Sequence, residues 1–309
     1  RGGVGGSIND PNILGGVVYD TTDGGESWHQ NINETMNGYV THALVLDPLN
    51  SNVWYYGTAA SPASYREADP NKIWVTKGII YKTSDNGNNW EELPTGVIKD
   101  TRLTHIAVNP SNTQQIVASS VHMIHMQSGP NKIGDQNMGI IESLDGGATW
   151  KRIDNLPKQY EASYDFASSK TNFNKMFHIP ATNDGIKGKS FYSIDGGHNW
   201  LASSLNMDMV KYNPNVVDGS EIVGYKWQCT DGPCVSSLYK STDSGATWKP
   251  FGTLPVEIKN LQDHKTRIQN IVWHPTDKNT FFMTGASGFV WKTVDNGKTW
   301  IKLLDYTQI

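Results

Sequence analysis

Six copies of one short motif constrain the fold of this 309-residue chain more than any other feature of its sequence. Each copy, which we call a box, reads Ser/Thr-x-Asp-x-Gly-x-x-Trp. Consecutive boxes lie 62, 60, 50, 48 and 52 residues apart, a period that matches one small sheet of four strands with its loops. The aspartates of boxes one to six are Asp23, Asp85, Asp145, Asp195, Asp243 and Asp295.

Each box is predicted to form a tight turn between two strands. Its aspartate can accept backbone N–H groups across the turn, and its glycine can take a positive φ. An apolar strand precedes the box, as in GIIYK (78–82) and GFVWK (288–292), and a short outer strand follows the tryptophan. A second pair of strands lies upstream, for example within 103–121. Each repeat therefore contains four strands, named A to D in chain order, with the box between C and D.

The repeats predict an all-β protein, a six- or seven-bladed β-propeller of four-stranded antiparallel blades formed as a single domain by residues 1–309. Blades two to six are complete, whereas blade one is truncated because only about 16 residues precede its C strand. Either sequence outside this chain completes the ring, or the terminal strands pair with each other. The chain begins with Arg1 and lacks a signal-peptide pattern, so we expect a processed chain or a fragment of a larger multidomain protein.

Composition argues against two classes of partner. The formal net charge is −4 and only 5 of the 26 basic residues are arginine, so we expect no basic surface that attracts nucleic acid. No stretch approaches the roughly 18 apolar residues that a membrane-spanning helix needs. The sequence therefore predicts neither nucleic acid binding nor a membrane span in this chain.

In sequence, the boxes resemble the Asp-box (BNR) repeats of sialidases, of the xyloglucan-cleaving glycoside hydrolases of family 74, and of sortilin-type receptors. The segments DPLNSN, NPSNTQ and HPTDKN ahead of strand B are more similar to the family 74 and sortilin-like branch. The resemblance implies that the six box aspartates are structural residues of turns at the blade periphery. Sialidases share a three-arginine cluster, for which only Arg66, Arg102 and Arg267 stand in predicted loops here, so we disfavour that activity.

This resemblance implies two alternative functions. The first is a secreted, carbohydrate-engaging propeller that forms part of a family 74-like glycoside hydrolase acting on β-glucan or xyloglucan. Family 74 enzymes place an acid and a base in the cleft between two propellers; this chain supplies one propeller and no position that matches the catalytic motif. The alternative is a non-catalytic, sortilin-like propeller that recognises a protein or peptide. Whether the chain is an enzyme stays open, and if it is one we expect a glycoside hydrolase.

The binding surface is predicted at the end of the blades opposite the boxes. Because each box joins strands C and D, the B–C and D–A connections emerge at the other end, and the two longest excursions are 58–77 and 121–138. Aromatic rings stack on sugars while amides and charged groups bind hydroxyls, a mixture that also suits a protein partner. The ligand-binding candidates are Tyr65, Arg66, Trp74, His122, Gln127, Arg102 and His264.

Some of these connections also hold weaker candidates. Glu67 and Asp135 are the candidates for a catalytic acid/base pair, although loop carboxylates are usually only solvated. Trp74 equally suits the packing of its own loop. His122 and His125 point to opposite faces of a strand, so we predict no metal site, and the sequence indicates no cofactor.

Cys229 and Cys234 are the only cysteines and frame TDGP between strands B and C of blade five. A tight turn can bring their Cβ atoms within bonding reach, so we predict a disulfide. A zinc site is the alternative, but the chain has no second pair of cysteines. Because disulfides persist in oxidising compartments, the predicted localisation is extracellular, secreted or at the cell surface.

Overall fold

The computed structural model describes residues 18–31, 41–58, 79–96, 102–121, 139–157, 160–161, 163–180, 189–228, 234–255, 260–261, 268–285 and 288–304. These residues form 23 β-strands and no α-helix. The predicted all-β fold class is therefore confirmed. A helix long and apolar enough to cross a membrane is not found among the residues described.

The chain divides into two compact units, residues 1–154 with 161–163, and residues 155–160 with 164–309. Unit one holds blades one to three. Blade one is represented by β1 (Val18–Asp20) and β2 (His29–Asn31). The strands of blades two and three are β3 (Thr41–Leu46), β4 (Trp54–Thr58), β5 (Ile80–Thr83), β6 (Glu91–Leu93), β7 (Arg102–Val108), β8 (Ile116–Val121), β9 (Ile140–Ser143) and β10 (Lys151–Arg152).

Unit two holds nearly all of blade four together with blades five and six. Its blades four and five consist of β11 (Ser163–Ser168), β12 (Met176–Pro180), β13 (Phe191–Ser193), β14 (Leu201–Ala202), β15 (Met209–Tyr212), β16 (Ile222–Gln228), β17 (Cys234–Ser241) and β18 (Lys249–Pro250). The remaining strands are β19 (Asn260–Leu261), β20 (Ile268–Trp273), β21 (Phe281–Gly285), β22 (Val290–Thr293) and β23 (Ile301–Leu304).

Within each of blades two to six, every strand pairs with the next one in chain order. This arrangement gives the five antiparallel sheets of four strands that the repeat predicts, and it confirms the β-propeller blade as the building unit. Blade five has one addition, because β19 pairs with the first residues of β17. A total of six or seven blades and a single domain over 1–309 stay predictions.

Neighbouring blades of one unit pack through the buried side chains of their inner strands. In unit one, Tyr55 of blade two lies in one apolar cluster with Leu103 of blade three. In unit two, Val223 of blade five lies in a cluster with Phe281 and Met283 of blade six, all three with zero exposure. Each such side chain contributes roughly 1.5–3 kcal/mol by leaving water. Packing between blades therefore supplies much of the stability of each unit.

The six boxes form turns with the same hydrogen bonds, which box five illustrates. Ser241 Oγ donates to Asp243 Oδ1 at 2.6 Å and accepts the N–H of Gly245 at 2.8 Å. The Asp243 carboxylate accepts the backbone N–H of Thr247 at 2.9 Å and its hydroxyl at 2.5 Å. Gly245 has φ +99°, a conformation that L side chains rarely adopt. The hydrogen-bonded aspartate and the glycine thus explain why the motif requires both residue types.

The box turns make the protein less stable at acid pH. The hydroxyl of Thr149 is the main cause that lowers the pKa of Asp145 from 3.8 to about 2, and Thr299 acts in the same way on Asp295. Because the folded state binds these protons less readily than the unfolded chain, the ionised aspartates stabilise the fold above about pH 4. This contribution is lost as the pH falls towards 2.

Above about pH 5 the box aspartates are ionised in both the folded and the unfolded chain, so we expect them to cause no change in the thermal unfolding midpoint with pH. Between about pH 4 and 2 we expect the midpoint to fall. Asp145→Asn removes one titrating carboxylate, so its midpoint should be lower at neutral pH and should fall less on acidification. Differential scanning calorimetry across this range measures both quantities. An identical acid-induced fall in the wild type and the variant would contradict the assignment.

Candidate functional site

We call the end of each blade that carries its box turn the box end, and the other end the loop end. The two longest B–C connections leave from the loop ends of blades two and three, both in unit one. Their described borders are Thr58 and Ile79 in blade two, and the pair Ser120–Val121 and Gly139 in blade three. These borders define the candidate site.

A buried hydroxyl joins the two ends of the blade-two connection, which together we call the base of that connection. Thr58, the last residue of β4, has zero exposure. Its backbone N–H donates to the Ile79 carbonyl at 3.0 Å, and its hydroxyl Oγ1 accepts the Ile79 N–H at 3.0 Å. The connection therefore begins and ends at one fixed point of the blade.

Blade three repeats this arrangement with a serine. Ser120 also has zero exposure. Its N–H donates to the Gly139 carbonyl at 3.1 Å, and its Oγ accepts the Gly139 N–H at 3.1 Å. Thr58 and Ser120 make the same hydrogen bonds in adjacent blades, so both connections leave from closed bases.

The two bases belong to closely packed blades because β4 contains a glycine where blade three approaches it. A Cβ atom at Gly57 would lie 3.1 Å from Ile106 Cδ1 and 3.2 Å from Leu103 Cβ, both on β7. Contacts at these distances are tighter than ordinary van der Waals packing. Glycine at this position thus lets β7 lie against β4 directly beside Thr58.

The structure places only one of the predicted ligand-binding residues. Arg102 begins β7, and its backbone is the register partner of Val121, the residue before His122. Arg102 is therefore next to the start of the blade-three connection, and it is the first residue of a strand where the sequence predicted a loop. Its role in ligand binding stays a prediction. The other candidates lie outside the described residues: Tyr65, Arg66, Glu67, Trp74, His122, Gln127, Asp135 and His264.

A cluster of charges lies beside Gly139 at the loop end of blade three. The Asp154 carboxylate, 1% exposed, accepts the Ile140 N–H at 2.7 Å and binds Arg152 through Nε and Nη2. Arg152 Nη2 also contacts Glu161 Oε1 at 2.6 Å. Burial disfavours the charged guanidinium, but the hydrogen bonds to Asp154 and Glu161 outweigh it and raise the pKa of Arg152.

This cluster does not have the geometry of an inverting acid/base pair. Asp154 Oδ1 and Glu161 Oε1 contact the same Arg152 nitrogen, at 2.9 and 2.6 Å. These two oxygens are therefore closer together than the roughly 6.5–9.5 Å that leaves room for an attacking water. Both carboxylates are also held by hydrogen bonds and ion pairs to one guanidinium, that of Arg152. The contacts indicate a structural role for the cluster.

Within the described residues, strands B and C of blade five are longer than those of the other blades. Strands β16 and β17 pair as far as Gln228 and Val235, and β19 adds to the far end of β17 through Cys234 and Leu261. The D–A connection that carries His264 is thereby attached to the B–C hairpin of the same blade. The sequence contained no strand signal for the two residues of β19, so this attachment was not predicted.

The predicted disulfide closes the tip of this hairpin. Cys229 lies outside the described residues and the backbone of Cys234 begins β17, so the bond stays a prediction. Intact mass of unreduced protein, with and without a thiol-alkylating reagent, tests it. We expect no alkylation before reduction, and two alkylated thiols in natively secreted protein would contradict it.

Elsewhere, no group of three or more His, Cys, Asp or Glu is placed to hold a metal within the described part of the chain.

Sequence reasoning missed Thr58, Ser120 and Asp154. Thr58 is the last residue of strand B in blade two and Ser120 the second-last in blade three, both ahead of long connections. This position becomes visible once the two blades are aligned. Asp154 lies four residues after the tryptophan of box three, where the other complete blades have Pro94, Ser204, Gly252 and Leu304. The signal that could have found Asp154 is that, among the complete blades, blade three alone has an acidic residue at this position.

The hydroxyl of Thr58 provides a direct test of the closed base. Thr58→Val keeps the shape of the side chain but removes the acceptor for the buried Ile79 N–H, so we expect a loss of about 1–3 kcal/mol in the free energy of unfolding. Thr22→Val, at an exposed position of box one, should change it by less than about 0.5 kcal/mol. Urea denaturation measures both values, and equal effects would contradict the role of the hydroxyl.

Comparison with known proteins yields structural likeness but no sequence match. No protein-family model matches the chain, and neither does any curated protein. A GH74 enzyme of Niastella koreensis is 18% identical with a TM-score of 0.57, covering 86% of this chain and 38% of the enzyme. An ancestral GH74 enzyme is 18% identical with a TM-score of 0.62, covering 93% of this chain and 36% of that one.

A third similar structure is that of YCF48 bound to D1 peptide, at 14% identity and a TM-score of 0.56. The match covers 95% of this chain and 77% of YCF48. At such identities the likeness shows the fold, which is a β-propeller. The chain spans less than two fifths of the length of the two GH74 enzymes.

Proposed function

We propose that this chain is a secreted or cell-surface, carbohydrate-engaging β-propeller that forms part of a family 74-like glycoside hydrolase acting on β-glucan or xyloglucan. One observation carries the proposal: the two longest B–C connections leave the loop ends of two adjacent blades, each from a base closed by a buried hydroxyl. Sequence places Tyr65 and Trp74 on the first connection and His122 and Gln127 on the second.

A closed base suits the recognition of a flexible polysaccharide. Binding such a ligand costs free energy because sugar and protein both lose conformational freedom, and a connection whose two ends are hydrogen-bonded to each other has less of that freedom to lose. Aromatic rings such as Tyr65 and Trp74 can stack on the apolar faces of sugars, while Gln127 and Arg66 can bind hydroxyls. The Asp154 and Glu161 carboxylates are engaged by Arg152, so we expect this cluster to supply no catalytic acid or base.

The alternative function is recognition of a protein or peptide at the same loop ends. One observation supports this alternative. Within the described part of unit one, the carboxylate cluster at the loop end of blade three, formed by Asp154 and Glu161, is not an acid/base pair. The alternative predicts binding to extended peptides and no affinity for β-glucan. We expect no nucleic acid partner and no membrane span in this chain under either function.

Binding measurements on the folded chain test the proposal. Isothermal titration with xyloglucan and β-glucan oligosaccharides should detect binding, and Tyr65→Ala with Trp74→Ala should weaken it by about tenfold or more, since each stacked ring is worth roughly 0.5–1.5 kcal/mol. Leu144→Ser is the matched control, because Leu144 is 56% exposed at the box end of blade three. It should leave the affinity unchanged.

Two results would overturn the proposal. The first is a correctly folded wild type that binds no β-glucan and no member of a glycan array. The second is affinity that survives in the Tyr65/Trp74 variant but is lost in Leu144→Ser. Binding of a peptide library in the first case would favour the alternative.

A further inference from the structure

Strand β9 begins differently from the equivalent strand of blade two. In blade two, the outer strand β6 pairs with β5 up to the register partners Ile80 and Leu93. In blade three, the last register partners of β10 and β9 are Arg152 and Ile141, and one further bond runs from the Ile153 N–H to the Ile140 carbonyl at 3.0 Å. At Ile140 the Asp154 carboxylate accepts the backbone N–H at 2.7 Å. A side chain therefore takes the place of a strand carbonyl at the edge of the blade-three connection.

The Asp154 carboxylate is enclosed on three sides, by the Ile140 N–H, by Arg152 and by Gly139. Arg152 binds it through Nε at 3.1 Å and Nη2 at 2.9 Å, and Arg152 is itself fixed by Glu161. Gly139 closes the third side, since a Cβ atom there would lie 2.2 Å from Asp154 Oδ2. Gly139 has φ +146°, so both its conformation and its surroundings disfavour another residue.

We infer that Asp154 is a positioning residue that fixes Gly139 and Ile140, and with them the point where the 122–138 connection rejoins the blade. Two elements therefore bind the base: Ser120 of strand B accepts the Gly139 N–H, and Asp154 of the segment after strand D accepts the Ile140 N–H. This inference rests on the proposed function for its ligand. It assigns to Asp154 an effect on affinity that acts through the backbone of Gly139 and Ile140.

Hydrogen exchange and affinity, measured on the same variants of the full chain, test the inference. Asp154→Ala removes the acceptor, so exchange at the Ile140 amide should accelerate by about tenfold or more, and the affinity for a xyloglucan oligosaccharide should weaken by a similar factor. Exchange at the Ile79 amide, held by Thr58 in blade two, should not change. Asp154→Asn keeps an oxygen acceptor, so its exchange should lie between those of the wild type and Asp154→Ala.

Asp145→Asn separates positioning from stability, because Asp145 forms the box turn at the other end of the same blade. It should lower the unfolding midpoint but leave Ile140 exchange and affinity unchanged. If Asp154→Ala fails to fold, Asp154→Asn and Arg152→Lys should both accelerate Ile140 exchange. Unchanged Ile140 exchange in the Asp154 variants, or an equal loss of affinity in Asp145→Asn, would overturn the inference. If the wild type binds no β-glucan, the proposed function fails, while Ile140 exchange still decides whether Asp154 fixes the base.

Discussion

Replacing Gly245 by alanine is expected to lower the free energy of unfolding by about 2–4 kcal/mol, the sum of a strained backbone and an overpacked contact. Gly245 lies in box five with φ +99°, and an added Cβ would lie 2.4 Å from Cδ2 and Cε2 of Phe177 in the preceding blade. The aromatic ring has zero exposure, so it has no free space into which to move. Urea denaturation followed by tryptophan fluorescence measures the loss.

Gly25 is the matched control for this substitution. It occupies the same position in box one with φ +100°, but the nearest atom to its added Cβ is Trp28 Cζ2 at an ordinary 3.7 Å. Gly25→Ala should therefore cost only the backbone strain, about 1–2 kcal/mol. Equal losses at the two positions would show that the box glycines act through φ alone and not through contact between blades.

Phe281→Ala is expected to be more destabilising, by about 3–5 kcal/mol, because it removes a large side chain from a closely packed cluster. Phe281 has zero exposure. Its ring centroid lies 4.8 Å from that of Trp273 and 5.2 Å from that of Trp300. Trp273 cannot move into the cavity without leaving its hydrogen bond to the Lys211 carbonyl of blade five.

Ile301→Ala is the control within the same blade. Ile301 is 53% exposed on β23, so its truncation should change the free energy of unfolding by less than about 0.5 kcal/mol. A loss below about 1 kcal/mol for Phe281→Ala would contradict the packing between blades five and six described above.

The sequence predicted the fold because each repeat states the same structure again. A single Ser/Thr-x-Asp-x-Gly-x-x-Trp segment would indicate only a turn, but six copies at one period require a turn, an outer strand and a preceding apolar strand in each repeat. The structure has strand C directly before each box and a short strand D directly after it. Local hydrogen bonds within eight residues determine these turns, so no long-range information was needed.

The candidate site was less predictable because its contacts join residues far apart in the chain. Thr58 binds Ile79 across 21 residues, and Asp154 binds Ile140 across 14. Neither partner can be recognised before the register of the strands is known. The pairing of β19 with β17 was missed for the same reason, since two residues carry too little pattern to identify a strand.

The central claim is that a polysaccharide binds at the loop ends of blades two and three. Hydrogen exchange of the folded chain with and without a saturating xyloglucan oligosaccharide tests it most directly. We predict slower exchange around Thr58, Ile79, Ser120 and Gly139 in the bound state, with no change in the box turns. Protection confined to the box turns, or no protection anywhere at saturating oligosaccharide, would contradict it.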